Sequence, residues 1–228
     1  MRFRIVVYAE GDGELAGLVS RLPAPGAALG AEHEGALHRL VRRCVLEQLA
    51  DAAVEFVSPL RTAKGTTVVG SSLRDRPKEL ARLLTWLDPQ RRPDLAVVSV
   101  DEDGEPSKRA TLASAVRGVA LPTAIAVPAP EFEAWLLADV EAAARVLDRR
   151  LDEPKSTASM ERGEAKSLFR RWCGDTEGTS AFDEATRDAR RLARAEILST
   201  ARLELLRRQR SFAAFEKSLR AALVAARK

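Results

Sequence analysis

The sequence has little of what builds disulfide frameworks, structural zinc sites or aromatic platforms. Its 228 residues include two cysteines, two histidines, one tyrosine and three tryptophans. Cys44 and Cys173 alone make no disulfide framework, which favours a reducing compartment. A structural zinc site needs four suitably spaced ligands, and the Cys and His residues do not supply them. No apolar run approaches the roughly 20 residues that a membrane-spanning helix needs. The apolar run that begins at Met1-Arg2-Phe3-Arg4 is too short for a signal peptide and reads as a first strand. A soluble, cytoplasmic protein without a membrane partner is expected. Lys64-Gly65-Thr66-Thr67 lacks the leading glycine of a phosphate-binding loop, so no ATP site is expected there. What the chain does have is a globular composition, 46% apolar and 31% charged.

The net charge of +4 conceals an asymmetry. Residues 187–228 hold twelve Lys/Arg against four Asp/Glu, whereas residues 1–186 hold 25 against 29. A basic tail on an acidic body suits an anionic partner such as nucleic acid, with Arg207, Arg208 and Arg210 as candidate contacts. A solvated, Arg-rich helical face explains the same residues equally well.

Strand-like and helix-like segments alternate through residues 1–150. Phe3–Tyr8, Val54–Val57, Asp94–Val100 and Thr123–Val127 read as strands, and the third is apolar enough to be buried on both sheet faces. Helices are expected around Leu37–Leu49, from Asp75 as N-cap to Leu87, and from Ser107 to Val116. One more is expected after Pro130, with Phe132, Trp135, Leu136, Val140 and Leu147 on one face. This alternation predicts an α/β fold, a parallel sheet flanked by helices. Residues 151–228 carry only helical patterns and read as a helical C-terminal extension packed on that domain. Its last helix shows Phe212, Phe215, Leu219 and Leu223 on one face. Trp86, Trp135 and Trp172 read as core anchors, Cys44 as a small buried hydrophobe, and His33 and His38 as surface residues.

Acidic clusters follow three of these strands: Glu10 and Glu14 after the first, Asp101 and Asp103 after the third, Glu131 and Glu133 after the fourth. In an open parallel sheet the C-terminal strand ends converge on the ligand crevice. Carboxylates gathered there repel one another and invite a cation, and an all-oxygen donor set suits Mg²⁺ or Mn²⁺. Alternate residues of an extended segment point the same way, so Asp101 and Asp103 can share a metal. A helical turn after Gly11 would bring Glu10 and Glu14 to one side. Each cluster alone is also ordinary turn or helix-start chemistry; the joint placement raises the odds. Lys108 and Arg109, just past Asp101-x-Asp103, fit a phosphate contact or a helix cap followed by exposed charges, with equal weight.

Glu10-Gly11-x-x-Glu14 after the first strand and Asp101-x-Asp103 after a later one resemble the two signature motifs of the Toprim fold. Glu131-Phe132-Glu133-Ala134-Trp135-Leu136-Leu137-Ala138-Asp139 resembles a segment of a Toprim-like bacterial family, domain of unknown function 4276, related to the OLD-family nucleases. Pro154-Lys155 and Gln209-Arg210-Ser211-Phe212-Ala213-Ala214-Phe215 resemble that family too. The resemblance implies a Mg²⁺-dependent nuclease acting on DNA or RNA, in phage defence, with a partner ATPase of the AAA or ABC type and self-association among its expected partnerships. It makes Glu10 the general acid/base and a metal ligand, Asp101 and Asp103 metal ligands, Glu14 and Glu133 ligands of a second metal, and Lys155 a phosphate or transition-state contact. Gly13 departs from the Thr of the usual Glu-Gly-x-Thr-Glu. The alternative expectation is a catalytically weak or inactive regulatory subunit on the same scaffold.

Overall fold

The two most apolar runs of the chain become the two central strands of a sheet. The computed structural model describes residues 1–19, 21–61, 77–154, 157–174 and 184–227. Strands β1 (Arg2–Ala9), β2 (Ala53–Val57), β3 (Leu95–Ser99) and β4 (Thr123–Ala126) form one all-parallel sheet in the order β2-β1-β3-β4. Ile5 pairs with Leu95 and Val7 with Val97 in the central ladder. Along the chain run α1 (Asp12–Leu15), α2 (Ala36–Gln48), α3 (Pro77–Leu83), α4 (Lys108–Ala115) and α5 (Glu133–Leu136). They are followed by α6 (Val140–Leu147), α7 (Glu164–Trp172), α8 (Glu184–Thr200), α9 (Leu203–Leu206) and α10 (Arg210–Ala225). This is the α/β architecture that the alternating pattern predicts, with helices on both sheet faces.

The period of two along each strand splits the core. Phe3, Ile5, Val7, Leu95 and Val97 face one apolar cluster, which α2, α7, α8 and α10 complete with Leu40, Phe169, Ile197 and Phe215. Val6, Tyr8, Ala96 and Val98 face the other, completed by Leu80 and Leu83 of α3 and Leu112 of α4. The helices after residue 151 therefore share the main core with the sheet rather than enclosing one of their own. Trp135 anchors them, with its ring centroid 5.6 Å from Phe215 and 5.2 Å from Phe212.

Both sheet edges are covered, which blocks edge-to-edge pairing. Residues of the Pro23–Gly30 loop run against β2, with Leu29 N–H donating to Phe56 O at 2.8 Å and Ser58 N–H to Ala27 O at 2.8 Å. On the far edge, Ile125 N–H donates to Ser218 Oγ of α10 at 2.9 Å.

Two local expectations are corrected. The helix after Pro130 is two helices, because the chain turns at Leu137–Asp139 and the Asp139 carboxylate caps α6 by accepting from Ala142 N–H. His38 is buried, not on the surface; its Nδ1 accepts from Gly35 N–H and its ring meets Phe56 edge-on. Burial pushes its imidazole down to about 3, so it stays neutral. Cys44 is buried as expected. Among the described residues no helix is long and apolar enough to cross a membrane. Lys64–Thr67 and the Asp75 N-cap lie outside the described residues.

Candidate metal centre

Strand β1 continues to β2 on one side and is joined by β3 on the other, so the C-terminal ends of β1 and β3 form the topological switch point of the sheet. Glu10 directly follows β1 there. Helix α1 then turns the chain, with Glu14 N–H donating to Gly11 O at 3.1 Å, and brings Glu14 back beside Glu10. Asp101 leaves β3 next door, and its N–H donates to Glu10 Oε2 at 3.1 Å. Beyond it the chain follows the end of β4, Glu102 N–H bonding Pro128 O at 2.9 Å and Asp103 N–H bonding Pro130 O at 3.0 Å. Asp101 in turn accepts from Phe132 N–H at 2.9 Å. These bonds tie the three acidic segments into one rim.

The result is a cavity of about 560 Å³ lined by Glu10, Glu14, Asp101, Asp103, Glu131 and Glu133, with Gly11 and Gly13 between them. All five expected carboxylates are there, and Glu131 joins them. The route differs for Asp103: the segment after β3 is a turn, not an extended strand, and Asp103 adopts a left-handed φ of 53°, which a short polar side chain tolerates.

Burial removes water from these acids, and their mutual repulsion adds to the cost. Desolvation, then the charges of Asp101 and Glu133, push the Glu14 carboxyl well above the ordinary range. Desolvation, Glu133 and Glu10 do the same to Asp101. Two other acids have built-in cations. Arg194 Nη2 lies 2.6 Å from Glu133 Oε1, and Asp103 faces Arg162 Nε at 3.2 Å and Lys108 Nζ at 3.8 Å. Among the described residues, Glu10, Glu14 and Asp101 have no Lys or Arg within ion-pair distance.

This donor set fits a hard divalent cation in its chemistry, with Glu10, Glu14 and Asp101 as the uncompensated oxygens. Among the described residues no three acidic, His or Cys side chains converge on one point, so an ion would draw these three together by side-chain rotation.

The same cavity has a basic lining: Arg162, Lys166 and Arg170 at a spacing of four, and Arg187, Arg190, Arg191 and Arg194 along one face of α8. Among the described residues, Lys166, Arg170 and Arg187 make no ion pair. Their helical spacing is visible in the sequence, but the charge excess of residues 187–228 points instead to Arg207, Arg208 and Arg210. Arg207 is held by Glu47 and Glu216. Arg208 and Arg210 line a different cleft that shares no residue with the carboxylate cavity.

Lys108 and Arg109 are also corrected. Lys108 is 3% exposed and donates to Asp101 O at 2.6 Å, so it braces the floor from below. Arg109 is half-buried and donates to Ile125 O. Lys155 lies outside the described residues. Compared with protein-family models, curated proteins and solved structures, the chain matches none.

A thermal test follows from the charge balance. A ligand present at a hundred times its Kd and bound only by the folded chain stabilises it by about 2.7 kcal/mol. At about 2–4 °C per kcal/mol for a chain of this length, Mn²⁺ is expected to raise the Tm by about 5–10 °C. Asp101→Asn keeps the acceptor for Phe132 N–H and removes a charge that the folded state disfavours. Its metal-free Tm is expected to rise slightly and its response to Mn²⁺ to vanish. A response equal to the wild type's removes Asp101 from the site.

Proposed function

We propose that the protein is a metal-dependent phosphodiesterase acting on nucleic acid. One observation carries this reading: carboxylates from three strand ends share a cavity at the switch point with seven Lys/Arg side chains. An acidic floor alone suits a cation, and a basic wall alone suits an anion. The two together suit a cation bound against a phosphodiester.

In this mechanism Glu10, Glu14 and Asp101 would hold the ion, which when bound lowers the pKa of water and polarises a phosphoryl oxygen. Lys166, Arg170 and Arg187 contact the phosphate backbone and set its position without reading bases. Glu10 Oε2 accepts from the Asp101 N–H and keeps a lone pair that would face the ion, which leaves Oε1 to take a proton from the attacking water. The chain is expected to cut plasmid or single-stranded DNA or RNA with Mg²⁺ or Mn²⁺, and Asp101→Ala to leave all of them intact. Cutting that needs no metal, or an active Asp101→Ala chain, overturns the assignment.

A second reading has an observation of its own. The arginines on Glu133 and Asp103 already neutralise part of the acidic floor, as a scaffold without turnover would. A regulatory subunit for a partner ATPase takes the lead if no nucleic acid is cut with or without that partner.

The basic rows give a separate expectation. Lys166→Gln, Arg170→Gln and Arg187→Gln together are expected to weaken binding on all sequences alike. The slope of log K against log salt is expected to flatten by about 0.7–0.9 per lost phosphate contact. Gln at Arg208 and Arg210 is expected to leave the slope unchanged. The reverse pattern in a fluorescence-anisotropy salt series moves the interface to the C-terminal cleft.

A further inference from the structure

We propose that the Arg194 guanidinium takes the place of a second metal ion, so that this site binds one divalent cation rather than two. The inference rests on the metal-dependent reading above and names how its charge is arranged.

Glu133 is the acid that a second ion would need, and it is already engaged. Arg194 Nη2 donates to Glu133 Oε1 at 2.6 Å. The guanidinium carbon also lies 5.0 Å from the centroid of the Phe169 ring, whose face favours a cation. The Arg194 guanidinium is thus held between α5 and α7, on one of the two acids assigned to a second metal.

Gly13 supplies an independent observation. Its φ is not in the left-handed region, so backbone conformation does not demand glycine there. A Cβ at this position would lie 3.0 Å from Arg194 Nη1, so a side chain here would crowd the guanidinium and force it to shift. The absence of a side chain at Gly13 leaves room for the guanidinium beside the carboxylate floor.

The charges then balance. Asp103 is met by Arg162 and Lys108, and Glu133 by Arg194. What remains, Glu10, Glu14 and Asp101, suits one divalent ion. A guanidinium offers several N–H donors and stays protonated, so it can steady charge on a phosphate oxygen but cannot carry a coordinated water.

The test is a calorimetric titration of the full chain with Mn²⁺, with circular dichroism to check that each variant is folded. The wild type is expected to bind one ion. Arg194→Gln frees Glu133 and is expected to bind a second, weaker ion. Arg194→Lys keeps the charge and is expected to bind one. Glu133→Gln combined with Arg194→Gln removes the freed acid and is expected to return to one. Two ions in the wild type, or one in Arg194→Gln, overturns the inference while leaving metal binding itself intact. No Mn²⁺ bound by the wild type overturns both the inference and the reading beneath it.

Discussion

Glu10→Gln is expected to slow cleavage roughly 10²–10⁴-fold, the span of losing a general acid or base, while the chain folds and binds nucleic acid as before. The substitution is nearly silent structurally. Glu10 Oε2 accepts from Asp101 N–H at 3.1 Å, and a glutamine amide oxygen can accept the same bond. The link between the ends of β1 and β3 therefore survives. What disappears is the negative charge beside Glu14 and Asp101. The basic wall on α7 and α8 is untouched, so phosphate binding has no reason to change. Cleavage at the wild-type rate by Glu10→Gln, under conditions where Asp101→Ala is dead, assigns the proton transfer to another group. Equal loss of binding and cleavage instead makes Glu10 a binding residue.

The parts of this site that sequence made legible are those tied to strand ends. Asp94–Val100 is so apolar that only a strand buried on both faces explains it, and a parallel sheet then fixes where Asp101 and Glu10 must meet. The same logic brought in Glu14 and Glu133. It could not reach the counter-charges, because these come from helices far along the chain whose position depends on tertiary packing. Arg194 sits 61 residues beyond Glu133, and nothing local to either predicts their contact. Charge density drew attention to Arg207–Arg210, but density says nothing of partners. Glu47, distant in sequence, is what occupies Arg207. His38 misled for a related reason: a histidine near a polar helix start reads as exposed until Phe56 is seen packed against it.

Asp139→Ala is expected to destabilise the fold strongly, although the residue touches no candidate ligand. Asp139 is fully buried and accepts four hydrogen bonds: one from Ala142 N–H at the start of α6, and three from the Arg202 backbone and guanidinium at 2.8–3.0 Å. It thus ties the break after α5 to the turn between α8 and α9. Losing a helix cap costs about 1 kcal/mol, and losing hydrogen bonds to a charged group about 1.5–3 kcal/mol. A loss of about 2–4 kcal/mol is expected, which lowers the Tm by about 5–15 °C at this chain length. The pH dependence separates the charge from the packing. Burial works against the charged form of Asp139, but Arg202 and Ala142 outweigh it and hold the carboxyl below its ordinary value. A group depressed in the folded state adds stability above its unfolded pKa of about 3.9 and loses it as pH falls through the folded pKa. Asp139→Asn keeps a cap acceptor and lacks the charge, so it is expected to fall short of the wild type at pH 7. That gap is expected to close as the pH drops below about 4. Urea titrations of both chains across this range decide it: a gap that stays constant with pH means that shape alone, not the Asp139 charge, holds the turn.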